Sequence, residues 1–429
     1  MSLPGAAPGE QGTSQQARCW QGELHRVFHL FSNRRLADVV PRPLAPYLPE
    51  IGLLLLASLT LLPGLGSTYF WDPDEPRFAD ATRHMLRDGG VLAPVFNGEP
   101  RWEKPILLYW LQLAFFHVAG PTEWAARLPA AIAGIVSVLF LYRLGRRLMP
   151  AGAALIGTVL WLTAFRFVTY ARQGLTDMPV VACIIGAMLA FTQAIQAGEK
   201  PARSAVWLGW TAVGIGVLFK GPVGLLPVII GLAVIALRRD WAMVPRLRPI
   251  AGAALAVALT LPWYLYALAT DAARFFDVHV ERELVARSFS AEFGGPVRGW
   301  FYYLRILPGE VAPWTLLVGI ALLWVWWRAT STDRQERQAT HLLLTWAAVV
   351  LAVFSLARYK LPHYTLPAYP PLFLLTGWCL YDGCTGRAPW RTVARAGLVT
   401  TALVVAIGIE VIAAVQVRLL ETVTPWTVG

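Results

Sequence analysis

Ile106-Leu107-Leu108-Tyr109-Trp110-Leu111-Gln112-Leu113-Ala114-Phe115-Phe116-His117-Val118-Ala119 is an apolar run that stops after 14 residues. A transmembrane helix needs roughly 20 residues to cross the hydrocarbon core. The run is therefore read as a juxtamembrane or re-entrant helix and is not counted as a span. Around it, longer apolar stretches recur at 47–66, 124–142, 153–171, 178–196, 205–219, 222–237, 249–269, 308–327, 340–357, 367–383 and 396–417, which makes eleven expected spans. Of the 429 residues 56% are hydrophobic and 15% charged, so an all-α integral membrane protein is expected in place of a large soluble core.

Leaving 106–119 out of the count is what makes the charges alternate. Basic residues then fall at every second connection: Arg143, Arg146 and Arg147; Lys200 and Arg203; Arg238, Arg239, Arg246 and Arg248; Arg328, Arg334 and Arg337; Arg387, Arg391 and Arg395. Positive-inside logic puts these connections in the cytoplasm. It also accounts for the net charge of +11 without a nucleic-acid partner, since no basic tract with interleaved aromatics is present. The four cysteines, Cys19, Cys183, Cys379 and Cys384, lack paired spacing and read as free thiols. Residues 1–46, rich in Gly, Gln, Ser, Pro and Arg, are expected to form a flexible cytoplasmic tail without a signal peptide.

The opposite face receives a first loop, 67–123, short turns at 172–179 and 220–222, a long loop at 270–307, and 358–366. Trp71-Asp72-Pro73-Asp74-Glu75-Pro76-Arg77-Phe78 opens the first loop, ahead of a short helix. Helix capping would employ one of these acids, but three within four residues exceed that need. The loop continues to Arg101-Trp102-Glu103-Lys104-Pro105, where the plain reading is an interfacial anchor with Trp102 at headgroup level and Lys104 snorkelling. Arg172-Gln173-Gly174-Leu175-Thr176-Asp177-Met178-Pro179 is a helix start by its Thr, Asp and Pro; Arg172 at the membrane edge is left unexplained by capping, and such charges mark functional sites. Lys220, and Lys360 with Tyr364 in Lys360-Leu361-Pro362-His363-Tyr364, add further polar groups on this face.

Carboxylates facing cations beside lipid suit a lipid-linked phosphate substrate: the cations hold the phosphate, and a carboxylate orients or deprotonates an acceptor. Sugar transfer from such a donor develops positive charge at the anomeric carbon and negative charge on the leaving phosphate, so fixed charges of both signs are useful. Asp72 and Asp74 offer hard oxygen ligands for Mg2+ or Mn2+, but two carboxylates do not make a site, and a metal is left unassigned.

These stretches, together with Asn97-Gly98, Leu108-Tyr109-Trp110-Leu111-Gln112 and Ala125-Ala126-Arg127-Leu128-Pro129, resemble the bacterial GT-C glycosyltransferases of the lipid A aminoarabinosyltransferase type, and more distantly the protein O-mannosyltransferases. The resemblance covers about 70–370. It implies a GT-C-type helical bundle in the inner membrane, with its active site facing the periplasm. It also implies inverting transfer of 4-amino-4-deoxy-L-arabinose or another pentose or hexose from a polyprenyl-phosphate donor to a lipid, glycan or protein acceptor. By residue match Asp74 would be the catalytic or orienting carboxylate, Glu103 and Asp177 would complete an acidic cluster, and Lys104 would contact the donor phosphate. Lys360 and Tyr364 would lie in a loop over the pocket. Glu75 joins the candidate acids by its place beside Asp74, and Arg77, Arg172 and Lys220 join the candidate donor-binding groups by position and charge.

Two departures are visible. The family usually carries a soluble domain after its last span, whereas the expected membrane domain, 47–420, is followed here by only a few residues. The 275–283 stretch matches only loosely, and His279 is read as structural and not as a metal ligand. A transporter or flippase for a lipid-linked or anionic substrate is the alternative reading; it is disfavoured because the acids sit in an outer loop and no internal repeat relates the two halves.

Overall fold

The computed structural model describes residues 45–70, 73–197, 203–286, 298–385, 392–393, 396–403 and 405–406. Nearly all of the expected tail, most of the last expected span and Asp72 lie outside them. The chain divides into two units, Met1–Gly52 and Leu53–Gly429. Of the first, the described part is a 3-10 turn, Ala45–Tyr47, and the opening of helix α1, Leu48–Leu61.

In the second unit the elements follow as α2 (Asp74–Asp88), β1 (Val95–Phe96), β2 (Glu99–Pro100), α3 (Leu107–Ala119), α4 (Glu123–Leu148), α5 (Ala151–Leu162), α6 (Phe165–Ala171), α7 (Asp177–Gln196) and α8 (Arg203–Lys220). After a 3-10 turn, Gly221–Leu225, come α9 (Leu226–Arg238), α10 (Met243–Arg246), α11 (Pro249–Phe275) and a π-helical segment, Phe276–Ala286. Then follow α12 (Tyr302–Glu310), α13 (Thr315–Arg328), α14 (Arg334–Leu356), a 3-10 turn, Pro362–Ala368, and α15 (Tyr369–Cys384).

Among the described residues five helical runs are long and apolar enough to cross a membrane: Glu123–Leu148, Asp177–Gln196, Arg203–Arg238, Pro249–Glu283 and Arg334–Leu356. A sixth is reached if α5 and α6, bent by 63° where they meet, form one broken span. This is a multi-pass helical membrane protein, but the eleven spans counted along the sequence are not reached by this measure. The reason is length: α1, α13 and α15 have 14, 14 and 16 residues. At about 1.5 Å per residue such helices reach only about 20 Å, against a hydrocarbon core of about 30 Å. The run Arg203–Arg238 is itself turned at Gly221, whose φ of 57° suits glycine. A Cβ placed on Gly224 would lie 2.2 Å from the Val217 amide nitrogen. Residues seven apart on one straight helix never approach so closely, so the Gly221–Leu225 turn folds back against the end of α8.

The expectation of an all-α chain needs one small correction. Asn97 (φ 51°) and Gly98 (φ 79°) form the turn of a two-residue antiparallel hairpin pairing Val95 with Pro100 and Phe96 with Glu99. Positive φ at both central residues is the requirement of a type I′ turn, and Asn-Gly is the pair that meets it at least cost. The first half of the expected long loop 270–307 is also helical, with α11 running on into Phe276–Ala286 past a break in helical dihedrals at Asp271.

Helix α3 behaves as the short apolar run should. It packs between α2 and α4, with Leu108, Tyr109 and Gln112 fully buried. Gln112 is satisfied on both ends of its amide: its Nε2 donates to the Ala126 carbonyl at 2.9 Å, and its Oε1 accepts from Thr82 Oγ1 at 2.9 Å. A buried amide bonded in this way fixes the register of three helices at once.

Candidate active site

A cavity of about 310 Å3 opens where the start of α2, the Glu103-Lys104 stretch, the start of α7, the end of α8 and the 353–367 region come together. Four carboxylates line it, Asp74, Glu103, Asp177 and Glu283, with two ammoniums, Lys104 and Lys220. The rings of His279, Tyr359, His363 and Tyr364 also line it, and Val180, Val181, Leu226, Ile229, Val353 and Phe354 supply an apolar wall.

Asp74 and Glu75 begin α2, where the helix dipole favours acids, yet no side chain caps that helix. Successive side chains on a helix diverge by about 100°, and these two go separate ways. Asp74 lines the cavity, half-exposed, with Arg77 one turn on at 3.2 Å. Glu75 is completely buried and receives Arg127 Nε at 2.7 Å and Nη2 at 3.0 Å, together with the Gly174 amide at 2.8 Å. Arg127 also donates to the carbonyls of Leu65, Thr68 and Tyr69, each at 2.9 Å. Glu75 is thus a tie between α2, α4 and the turn before α7, and it does not line the cavity.

Trp102 is not the exposed anchor of the plain reading. Its side chain is fully buried, edge-on to Trp263 at 6.1 Å and Phe275 at 6.3 Å. Its carbonyl is 2.9 Å from His279 Nδ1, and His279 stacks on Phe275 at 4.9 Å. Packing on both sides of this strand end delivers Glu103 and Lys104 to the cavity. Lys104 forms an ion pair with Glu283, 179 residues along the chain. Glu103 has Arg101 at 3.3 Å, whose guanidinium lies over the Phe78 ring at 4.7 Å.

Asp177 opens α7, and again the expected cap does not form, since Thr176 makes no capping bond. Asp177 instead accepts from Lys220 Nζ at 2.6 Å, with His363 Nε2 at 3.8 Å from the same oxygen. Lys220 also sits 5.7 Å from the Tyr364 ring centre. His363 is packed between Tyr170 at 5.2 Å and Tyr364 at 5.1 Å. Burial pushes its imidazole down to about 4, the Asp177 carboxylate opposing and the Lys220 ammonium assisting, so the ring is neutral near pH 7.

Of the candidates read from the sequence, Asp74, Glu103, Asp177, Lys104, Lys220 and Tyr364 converge on this cavity, whereas Glu75, Arg77, Arg172 and Lys360 do not line it. Arg172 donates to the carbonyls of Leu61 at 2.8 Å and Pro63 at 2.9 Å, satisfying the orphan acceptors at the end of α1. Lys360 is buried, with its ammonium on the carbonyls of Ala357 and Arg298, and burial lowers its pKa. It pins the loop that brings His363 and Tyr364 inward.

Glu283 and His363 were not picked out from sequence as site residues, although His363 sits inside a quoted motif. A neighbouring group was also missed. Glu310 accepts from Arg166 at 2.5 Å and has the Tyr369 hydroxyl at 3.4 Å. Nothing in the local sequence around Glu310 signals it. Among the described residues no group of three or more His, Cys, Asp and Glu side chains could hold a metal ion.

The family described as dolichyl-phosphate-mannose-protein mannosyltransferase matches residues 103–266, which contain Glu103, Lys104, Asp177 and Lys220. The undecaprenyl phosphate-alpha-4-amino-4-deoxy-L-arabinose arabinosyl transferase of Pseudomonas aeruginosa is 32% identical over 338 residues, 76% of this chain and 59% of that protein. An uncharacterized protein of Aquifex aeolicus is 26% identical over 329 residues, covering 76% of this chain and 62% of its own length. The chain thus spans about three-fifths of the length of these curated relatives. In fold it is similar to ArnT from Cupriavidus metallidurans bound to undecaprenyl phosphate, with a TM-score of 0.72 at 24% identity over 83% of this chain and 63% of that one. The archaeal oligosaccharyltransferase AglB from Archaeoglobus fulgidus follows with a TM-score of 0.58 at 14% identity, over 84% of this chain and 54% of that one. The chain is thus similar in sequence to the ArnT-type arabinosyl transferases, shares the fold of ArnT, and matches the protein mannosyltransferase family over 103–266.

Proposed function

We propose that this ArnT-like GT-C protein transfers a sugar from a polyprenyl-phosphate donor to a lipid, glycan or protein acceptor on the periplasmic face of a bacterial inner membrane. The observation that carries the reading is the cavity in which Lys104 and Lys220 stand among Asp74, Glu103, Asp177 and Glu283, backed by an apolar wall. The wall suits a prenyl chain, the ammoniums suit its phosphate, and the carboxylates suit an acceptor hydroxyl and a glycosyl cation in the making.

In this scheme the acceptor oxygen attacks the anomeric carbon as the bond from that carbon to the phosphate oxygen breaks. The acceptor proton passes to a carboxylate, and polyprenyl phosphate leaves with the bonding pair. Asp74 is the best placed base, because it lines the cavity while remaining half-exposed to an incoming acceptor. Asp177 is mostly buried and engaged by Lys220, which suits a positioning role. The basic connections at the other ends of the helices favour the orientation proposed, with the cavity outside. Ten of the eleven expected spans belong to the same proposal: α8 and α9 as two passes, with α1, α13 and α15 crossing where the bilayer is locally thinned.

Undecaprenyl phosphate is the donor lipid suggested by the relatives, and 4-amino-4-deoxy-L-arabinose is the first sugar to try. The test is transfer from purified undecaprenyl-phosphate-linked sugar by the wild type and by Asp74→Asn. Loss of about a hundredfold or more is expected for removal of a general base. Full activity in the folded variant would remove Asp74 from the role. A wild type that moves donor lipid across vesicle membranes without forming product would favour transport instead.

A further inference from the structure

A second cavity, of about 550 Å3, lies at the basic end of the helices and shares no lining residue with the first. On α7 the outer cavity is lined by Asp177, Val180 and Val181, and the inner one by Met188, Phe191 and Ile195. At about 1.5 Å per residue their linings are centred about 20 Å apart along that helix, and they meet on α9, where Leu226 and Ile229 line the outer cavity and Pro227 and Val228 the inner one.

The chemistry of the inner cavity is unlike that of the outer one. Its walls are apolar, from Leu232 and Ile235 of α9 and Leu342 of α14 together with the α7 side chains. Its charged lining residues are Arg147 and Arg238, and no carboxylate lines it. Gln196, Gln335 and Gln338 add amides at the same end. Arg238 donates to the Gln338 carbonyl at 2.5 Å, while its Nε is buried with no hydrogen-bond partner among the described residues. Arg147 reaches Gln196 only at 3.4 Å, long for an N–H···O bond. Two guanidiniums with hydrogen-bonding capacity in reserve, set at one end of an apolar chamber, complement an anion that carries a hydrocarbon chain. Such basic pockets between helices on the basic side of a membrane protein are suited to anionic lipid headgroups.

We propose that this inner cavity is a phospholipid site, in which an anionic glycerophospholipid from the adjoining leaflet places its phosphate between Arg147 and Arg238 and an acyl chain among the α7, α9 and α14 side chains. The site is independent of the transfer reaction proposed for the outer cavity.

Gly231 provides a clean test, because it lines the chamber and a Cβ placed on it meets no atom within 4 Å. Gly231→Leu fills the space from a helical position that tolerates a side chain. The delipidated full chain would be titrated in detergent with phosphatidylglycerol, phosphatidylcholine and inorganic phosphate, following the melting midpoint and lipid retained in native mass spectrometry. Wild type is expected to retain phosphatidylglycerol and to melt higher with it than with phosphatidylcholine. Gly231→Leu should keep its lipid-free midpoint and lose retention, and the double variant Arg147→Gln/Arg238→Gln should bind at least tenfold more weakly. Undiminished retention by both variants overturns the proposal. So does an equal response to phosphatidylcholine, or a full response to inorganic phosphate alone.

Discussion

Lys220, the last residue of α8, donates to Asp177, the first residue of α7, across 2.6 Å. The two side chains are 13% and 9% exposed, so the pair is largely removed from water. It closes the cavity on the side where both helices end. Removing one partner strands the other charge in a partly dry place, which costs more than removing both. The singles Asp177→Asn and Lys220→Gln should each destabilise the protein, and the double variant should be less unstable than their sum by about 0.5–3 kcal/mol. Thermal midpoints of the four proteins in one detergent measure that coupling. Strict additivity would mean that the ion pair contributes nothing.

Lys104 is engaged by Glu283 before any donor arrives. If the ammonium is to hold a donor phosphate, the two acceptors compete for it. Glu283→Gln removes the competitor's charge while keeping its shape, so undecaprenyl phosphate should bind about fivefold to tenfold more tightly, equivalent to about 1–1.4 kcal/mol. Lys104→Met should bind it more weakly. Titration of each variant with undecaprenyl phosphate, followed by tryptophan fluorescence, decides the matter. Unchanged affinity in both would place the phosphate elsewhere.

The membrane class and the short helix α3 were legible because hydropathy and length are local properties of a sequence. Pairings are not local: Glu283 lies 179 residues from Lys104 and Arg127 lies 52 from Glu75. No spacing rule connects either pair. Asp74 and Glu75 look equivalent in the chain, and only the turn of α2 separates the one that lines the cavity from the one that is buried. Arg172 and Lys360 read as cations on the outer face, but they are spent on carbonyls whose directions the sequence does not display. The count of eleven spans followed from apolar runs, which continue through the bend between α5 and α6 and past the short ends of α1 and α13.

The low pKa of His363 has a consequence for stability. In the unfolded chain a histidine takes up its proton near its ordinary value of 6.5, whereas in the folded protein burial delays this to about 4. Above 6.5 neither state is protonated and the residue adds no pH dependence. Between 6.5 and 4 the unfolded chain binds more protons, so stability falls as the pH falls. The melting midpoint should therefore decline from pH 6.5 to 5, and His363→Asn should decline less steeply, by up to one proton. A matching slope in the variant would show that the imidazole is protonated in the folded protein as readily as in water.

Arg127 and Glu75 make the most deeply buried charge pair at this end of the molecule, with Glu75 fully buried and Arg127 3% exposed. Arg127 holds two carboxylate oxygens and three backbone carbonyls and Glu75 accepts from the Gly174 amide, so the pair positions 65–69, α2 and the turn before α7 together. The expected role of Glu75 is therefore to hold Asp74 in place without touching substrate. Glu75→Gln should lower stability by about 3–5 kcal/mol, as for other broken buried pairs, since Arg127 keeps its charge with no anion beside it. If the fold survives at low temperature, catalysis should fall through displacement of Asp74, and the fall should shrink as the temperature is lowered. Asp74→Asn should behave in the opposite way, losing activity at every temperature with a near-normal melting midpoint. Parallel melting curves and transfer assays on the two variants separate the roles; a stable but inactive Glu75→Gln would return Glu75 to the chemistry.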